Sequence, residues 1–188
     1  MVNLPNLLSV GRILAVPLFV ILLLQQYYGW ALVVFIAAAV TDAIDGMLAR
    51  LLHQHTVLGS YLDPAADKLL SVSSFIILAV LSILPAWLAV VVISRDIIIV
   101  VGILIIFLTS HPLQVKPSLV SKLATTFQFT LICLALYFMP ELNSWVLQVF
   151  IWGTGVLSIV SGLQYIWRGI QIFNGEVVAA GPGGKGKP

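Results

Sequence analysis

The amino-acid sequence predicts an all-α integral membrane protein of six transmembrane helices with both termini on the cytoplasmic side. Three observations predict it. Of the 188 residues, 61% are hydrophobic and 9% are charged, whereas a soluble domain carries about 25% charged residues. A water-facing surface cannot be built from that composition, so the bilayer must solvate most of the chain. Six continuous apolar stretches reach the roughly 20 residues a helix needs to cross a hydrocarbon core. Apart from Arg95, the Lys and Arg residues sit near the termini or at alternate joints between those stretches, the distribution that marks cytoplasmic segments. Hydrophobicity that is continuous rather than alternating selects helices over a closed barrel, the only other structure that satisfies its backbone in lipid.

The spans run over residues 8–25, 30–52, 65–84, 85–108, 119–139 and 144–166. No basic stretch or small-residue cleavage site accompanies the first, so it is expected to be retained as a membrane helix. Arg12 lies at its start, and Gln25, Gln26 and Gly29 form the joint to the second span. Arg50 and Lys68 flank the next joint, where Asp63 followed by Pro64 reads as an N-cap and a first-turn proline. Ile83, Leu84 and Pro85 separate the third and fourth spans; His111-Pro112 and Lys116-Pro117, with Lys122 beyond, separate the fourth and fifth; Pro140 and Asn143 precede the sixth. Arg168, Lys185 and Lys187 follow it, so the basic joints and both termini share the cytoplasmic side. Residues 1–173 are thus expected to form one six-helix membrane domain, and the Gly/Pro-rich stretch 174–188 a disordered tail. Tryptophans near span ends fit an interfacial belt, and Gly153 and Gly155 offer close helix packing or a dimer contact. Cys133 has no partner for a disulfide or a metal, and no basic stripe is present to track nucleic acid.

Four of the seven acidic residues, Asp42, Asp45, Asp63 and Asp67, fall in the single stretch 41–70. Asp42 and Asp45 share one helix face, as do Asp63 and Asp67. A short connection makes the second and third helices antiparallel neighbours, so the four carboxylates can converge near the cytoplasmic edge of the membrane. Converging carboxylates repel and cannot all stay ionised without cations. Oxygen ligands without His or Cys suit Mg²⁺ or Mn²⁺, and two such ions would make a phosphoryl-transfer site. Gly46, Ala49 and Gly59 leave room for close approach, and Arg50 can neutralise a phosphate. A proton or cation pathway also uses intramembrane acids, and on the residues alone both readings stand. Arg95-Asp96, in the middle of the fourth span, is either an ion pair joining helices or a pair facing a polar cavity, and the rarity of charges within spans favours the cavity.

The spacing Asp42-x2-Asp45-Gly46-x2-Ala49-Arg50-x8-Gly59-x3-Asp63-x3-Asp67 resembles, without departure, the signature of the CDP-alcohol phosphotransferase family of integral membrane enzymes. That resemblance extends over nearly the whole chain. It implies a homodimeric enzyme of phospholipid biosynthesis that moves the phosphatidyl group from CDP-diacylglycerol to a glycerol-type alcohol and releases CMP. It implies that Asp42, Asp45 and Asp63 hold two divalent cations, with Asp67 beside them as general base. Gly46, Ala49 and Arg50 match positions set against the nucleotide, and Gly59 is grouped with them. The opening "NLPNLLSVGR" resembles bacterial members and implies that Asn6 and Arg12 border the nucleotide.

The stretch "YLDPAADKLL" resembles the phosphatidylglycerophosphate synthase and cardiolipin synthase branch. Arg95-Asp96 falls where the former typically show Arg-Glu, and Ile103 where they carry a further arginine. "ISRD" and "VKPSLVSK" look like the eukaryotic-type cardiolipin synthases. The expected acceptor is glycerol 3-phosphate, with phosphatidylglycerol as the alternative, and Arg95, Lys116 and Lys122 are the expected acceptor-binding residues. The expected location is a bacterial inner membrane with the site on its cytoplasmic face. A small cation or proton transporter is the alternative of another class; it calls for paired interrupted helices in corresponding halves, and the sequence shows none.

Overall fold

The computed structural model describes residues 4–52, 57–108, 118–138 and 145–173, with side chains placed for 11–41, 68–102, 118–138 and 145–171. The described chain is all-helical: α1 (Leu4–Leu24), α2 (Tyr28–Leu52), α3 (Val57–Val80), α4 (Ala86–Leu108), α5 (Leu119–Tyr137) and α6 (Trp145–Phe173). The helices correspond one to one with the six apolar stretches. Within the described residues, α5 and the Trp145–Gln171 part of α6 are long and apolar enough to cross a membrane.

One boundary differs materially from expectation. Helix α3 starts at Val57, so Asp63 is not its N-cap and Pro64 lies within the helix rather than in its first turn. A proline removes one backbone donor at a cost of about 3 kcal/mol in an isolated helix, but packed apolar helices tolerate it because neighbouring groups re-satisfy the freed carbonyl. Pro17 likewise lies inside α1.

Two turns share one design. At the end of α1, Gln26 takes a left-handed backbone (φ 61°), its N–H donating to the Leu23 carbonyl and the Tyr27 N–H to that of Leu22. At the end of α3, Ser82 (φ 58°) and Ile83 donate in the same pattern to Ala79 and Leu78. These are Schellman caps, in which a left-handed residue satisfies the last carbonyls of the helix. Ile83 and Leu78 are both buried, supplying the apolar contact that accompanies the motif. Pro85 then precedes α4 and ends any continuation of α3. On the opposite side of the bundle, α5 is capped by Ser118, whose hydroxyl accepts from the Ser121 N–H at 3.1 Å.

The helices pack as a closed ring in the order α1, α2, α5, α6, α4, α3. The sequential pair α2 and α3, expected to be close neighbours, touches only sparsely, and α1 packs against both. The core is apolar and runs through Phe19, Phe35, Phe75, Leu78, Leu88 and Leu131. Phe19, Phe35 and Phe129 bring α1, α2 and α5 together, with ring centroids 5.7 and 4.9 Å apart. Gly153 and Gly155 serve packing within the chain. A Cβ on Gly153 would lie 3.0 Å from Phe127, and one on Gly155 2.9 Å from the Trp87 ring, so α6 seats itself between α5 and α4. The outer faces carry exposed Leu, Ile and Val on every helix. Tyr27, Trp30, Trp87, Tyr137 and Trp145 stand exposed at the helix ends remote from the α2–α3 joint, where amphipathic rings mark a membrane interface.

Candidate active site

The aspartate motif sits on the C-terminal end of α2 and the N-terminal end of α3, on either side of their joint. Asp42 lies ten residues before the end of α2, and Asp67 ten residues after the start of α3. Asp45 and Asp63 lie seven and six residues from the same two ends. At 1.5 Å per residue, the pairs sit at matched depths, about 15 Å and about 10 Å from the joint. The side chains of Asp42, Asp45, Asp63 and Asp67, and those of Asn6, Gly46, Ala49, Arg50 and Gly59, lie outside the described residues, although all nine positions are helical. Lys116 also lies outside them. Among the described side chains, no three His, Cys, Asp or Glu gather in one place.

The described residues next to the motif form an ionic network that is buried at Arg95 and Asp96 and one-third exposed at Lys68. Lys68 follows Asp67 directly in α3, and its Nζ is 2.8 Å from Oδ2 of Asp96 in α4. Oδ1 of Asp96 accepts from Nη1 of Arg95 at 2.7 Å. Arg95 spends its remaining donors inside the bundle: Nη2 reaches the Ser121 hydroxyl at 2.6 Å and the Ser121 carbonyl at 3.3 Å, and both Nη2 and Nε reach Ser161 at 3.4 Å. One carboxylate thus carries two cations, and the network joins α3, α4, α5 and α6. Arg95 and Asp96 are each 3% exposed. Such charges persist away from water only when paired and hydrogen-bonded. The ion-pair reading of Arg95-Asp96 therefore describes the geometry, and neither residue lines the neighbouring cavity. Lys122 is exposed one residue from Ser121. A second buried polar contact, Gln128 Nε2 to Ser158 Oγ at 3.2 Å, links α5 to α6.

That cavity, about 240 Å³, lies among α1, α2, α3 and α5. Arg12 from α1 and Lys68 from α3 line it, with Ser71, Thr125, Thr126 and Gln128 as polar wall and Phe35, Phe129 and Ile132 as apolar wall. The sequence reading used Lys68 only to orient the helices; it considered Asp96 only with Arg95, and missed the Lys68–Asp96 pair and the serines that hold Arg95. Ser121 and Ser161 gave no signal, since small polar residues are common at helix contacts.

Residues 2–160 match the sequence model of the CDP-alcohol phosphatidyltransferases. The chain belongs to the CDP-alcohol phosphatidyltransferase family. Along 195 aligned residues it is 31% identical to the CDP-diacylglycerol–glycerol-3-phosphate 3-phosphatidyltransferase of Bacillus subtilis, covering 93% of this chain and 100% of that protein. It is 31% identical to the rat cardiolipin synthase (CMP-forming) over 93% of this chain and 65% of the rat protein. Its identity to the cardiolipin synthase (CMP-forming) of Streptomyces coelicolor is 42%, over 54% of this chain and 51% of that protein. The matches to the two cardiolipin synthases thus leave about a third and about half of those proteins uncovered. As a member of a transferase family with membrane-length apolar helices, this is a membrane protein.

Proposed function

We propose that this family member transfers the phosphatidyl group of CDP-diacylglycerol to a glycerol-type alcohol at the cytoplasmic face of a bacterial membrane, releasing CMP. The observation that carries the reading is the complete eight-position motif on two helices whose aspartates lie at matched depth. All six helices span the bilayer in this reading, with both termini cytoplasmic, and the protein works as a homodimer. The apolar outer faces and the interfacial aromatic ring at the far end support that placement.

Asp42, Asp45, Asp63 and Asp67 offer an all-oxygen donor set, which fits two hard divalent cations, Mg²⁺ or Mn²⁺. When bound, such ions supply charge neutralisation at the donor's pyrophosphate. Gly46, Ala49, Arg50, Gly59 and Asn6 border the nucleotide, whose backbone approach the small residues permit. Asp67 accepts the proton of the acceptor hydroxyl. The alcohol oxygen forms a bond to the phosphorus next to the lipid, and the bond from that phosphorus to CMP breaks. Holding the hydroxyl in line with the leaving group supplies much of the rate enhancement. Lys116 and Lys122 add positive charge at the acceptor side, and Arg95 contributes through its buried network rather than through an open donor.

The acceptor in this reading is glycerol 3-phosphate, as the name of the full-length Bacillus relative supports. Phosphatidylglycerol is the second reading, favoured by the "ISRD" and "VKPSLVSK" stretches and by the cardiolipin synthases among the relatives. The test is CMP release by purified protein given CDP-diacylglycerol and Mg²⁺ or Mn²⁺, with glycerol 3-phosphate, phosphatidylglycerol, inositol phosphate and serine offered in parallel. CMP in the glycerol 3-phosphate arm is the expected result. No CMP in any arm from folded protein rejects the transferase reading.

A further inference from the structure

We infer that Lys68 and Asp96 are positioning residues, whose ion pair sets the rotation and depth at which α3 presents its half of the aspartate motif to the half on α2. This rests on the metal-dependent reading above and concerns what aligns the motif, not what binds at it.

Helices α2 and α3 carry two of the aspartates each, yet they touch one another only sparsely. Something other than their own contact must set one pair against the other. Both pack extensively on α1, but that packing is interrupted beside the motif. A cavity of about 270 Å³ lies between α1 and α2, among Gly11, Ala15, Ala37, Ala38 and Thr41, the last of which directly precedes Asp42. The cavity of about 240 Å³ reaches Lys68, which directly follows Asp67. Apolar side chains attract without direction, and beside cavities they leave a helix free to turn or slide. A hydrogen-bonded ion pair does not, because it weakens steeply as its angle departs from linear.

Lys68 Nζ lies 2.8 Å from Oδ2 of Asp96. Asp96 is a fixed anchor: its other oxygen accepts from Arg95 at 2.7 Å, and Arg95 is held in turn by Ser121 of α5 and Ser161 of α6. Helix α5 packs against α2, in part through the stacked rings of Phe35 and Phe129. The contacts from Lys68 through Asp96, Arg95 and Ser121 therefore join the α3 half of the motif to the helix that supports the α2 half, round the ring rather than across the joint. The Lys68 side chain is 33% exposed and that of Asp96 4%. An exposed lysine gains little from an exposed acid, but this acid is buried and already oriented. One residue, about 100° and 1.5 Å along the helix, separates Lys68 from Asp67, so the bridge fixes the turn that carries the proposed base. Groups that hold metal ligands in place from outside the coordination shell are typically worth about 10–100-fold in affinity.

Mn²⁺ binding to the detergent-solubilised full chain, followed without substrate by loss of the free-ion electron paramagnetic resonance signal, tests the assignment beside a thermal melt. Lys68→Gln leaves the Arg95–Asp96 pair in place and is expected to weaken Mn²⁺ binding about tenfold, with Lys68→Arg recovering most of the loss. The sign is diagnostic. Removing the cation next in sequence to Asp67 would by charge alone tighten Mn²⁺ binding, so weakening reports alignment. Ser121→Ala removes the 2.6 Å contact that holds Arg95 and changes no charge. It is expected to weaken Mn²⁺ binding about threefold, the scale of one lost hydrogen bond, and it decides the matter if Lys68→Gln fails to fold. Wild-type Mn²⁺ affinity in both variants, or tighter binding in Lys68→Gln, overturns the positioning role even where the melting midpoint falls. A wild type that binds no Mn²⁺ overturns instead the metal reading on which the assignment rests.

Discussion

Asp96 holds the guanidinium of Arg95 on one carboxylate oxygen and the ammonium of Lys68 on the other, which makes it the residue through which α3 is tied to α4 beside the motif. Removing one partner of a buried ion pair costs about 3–5 kcal/mol, because the remaining charge is stranded. Asp96→Leu is therefore expected to lower the thermal midpoint of the detergent-solubilised protein strongly. Asp96→Asn should lower it less, since an amide oxygen still accepts from Arg95. Equal midpoints for wild type and both variants would show that the network does not hold the bundle. Ser121→Ala removes only the 2.6 Å hydroxyl contact to Arg95, with an expected loss of about 1–2 kcal/mol read in the same melt. In the proposed mechanism Asp67 serves chemistry rather than packing. Asp67→Asn is expected to abolish turnover with partial retention of donor binding, and unchanged turnover would remove it as the base.

Helix α6 shows how close packing is built at the scale of an element. Gly155 admits the Trp87 ring, and Gly153 the ring of Phe127, at distances no added Cβ could share without movement. Gly155→Ala is expected to destabilise by about 1–3 kcal/mol through overpacking. Gly162→Ala should be nearly neutral, since its Cβ would meet Arg95 carbons at an ordinary 3.8 Å. Comparable midpoints for the two variants would refute the seam. The turn after α3 offers a change of opposite sign: Ser82→Gly relieves a left-handed backbone that costs an L-residue roughly 1–2 kcal/mol, so its midpoint should rise. The helices themselves were legible because apolar run length reports directly on a membrane-length helix. Neighbour relations were not legible. Nothing in α2 or α3 says that α1 packs against both, and a Pro64 that usually signals a helix start here lies inside one. The aspartate positions were legible because their spacing is a pattern along the chain. The Lys68–Asp96 contact joins two different helices and leaves no such trace.

On the scale of the whole molecule, a ring of six helices presents apolar side chains outward and, among the described residues, gathers its charge towards one end. Arg12, Arg95 and Asp96 lie buried inside the bundle with the half-buried Lys68 beside them, while exposed Trp30, Trp87 and Trp145 mark the opposite end. A water-borne nucleotide and a bilayer lipid can meet only at an interface, which is where the proposed reaction puts the aspartate motif. The proposed topology, with both termini cytoplasmic, predicts that a reporter fused to the C-terminus is active when it needs the cytoplasm and silent when it needs the far side; the reverse result would invert the protein and detach the site from its nucleotide. The central claim is that the four aspartates work through divalent cations on a CDP-linked lipid. The most direct test is CMP release from CDP-diacylglycerol by chelator-stripped protein before and after Mg²⁺ or Mn²⁺ is restored, alongside Asp42→Asn and Asp63→Asn. The account predicts no release from stripped protein, full recovery on adding the metal, and little or none from either variant. Release that survives both chelation and the substitutions would contradict it.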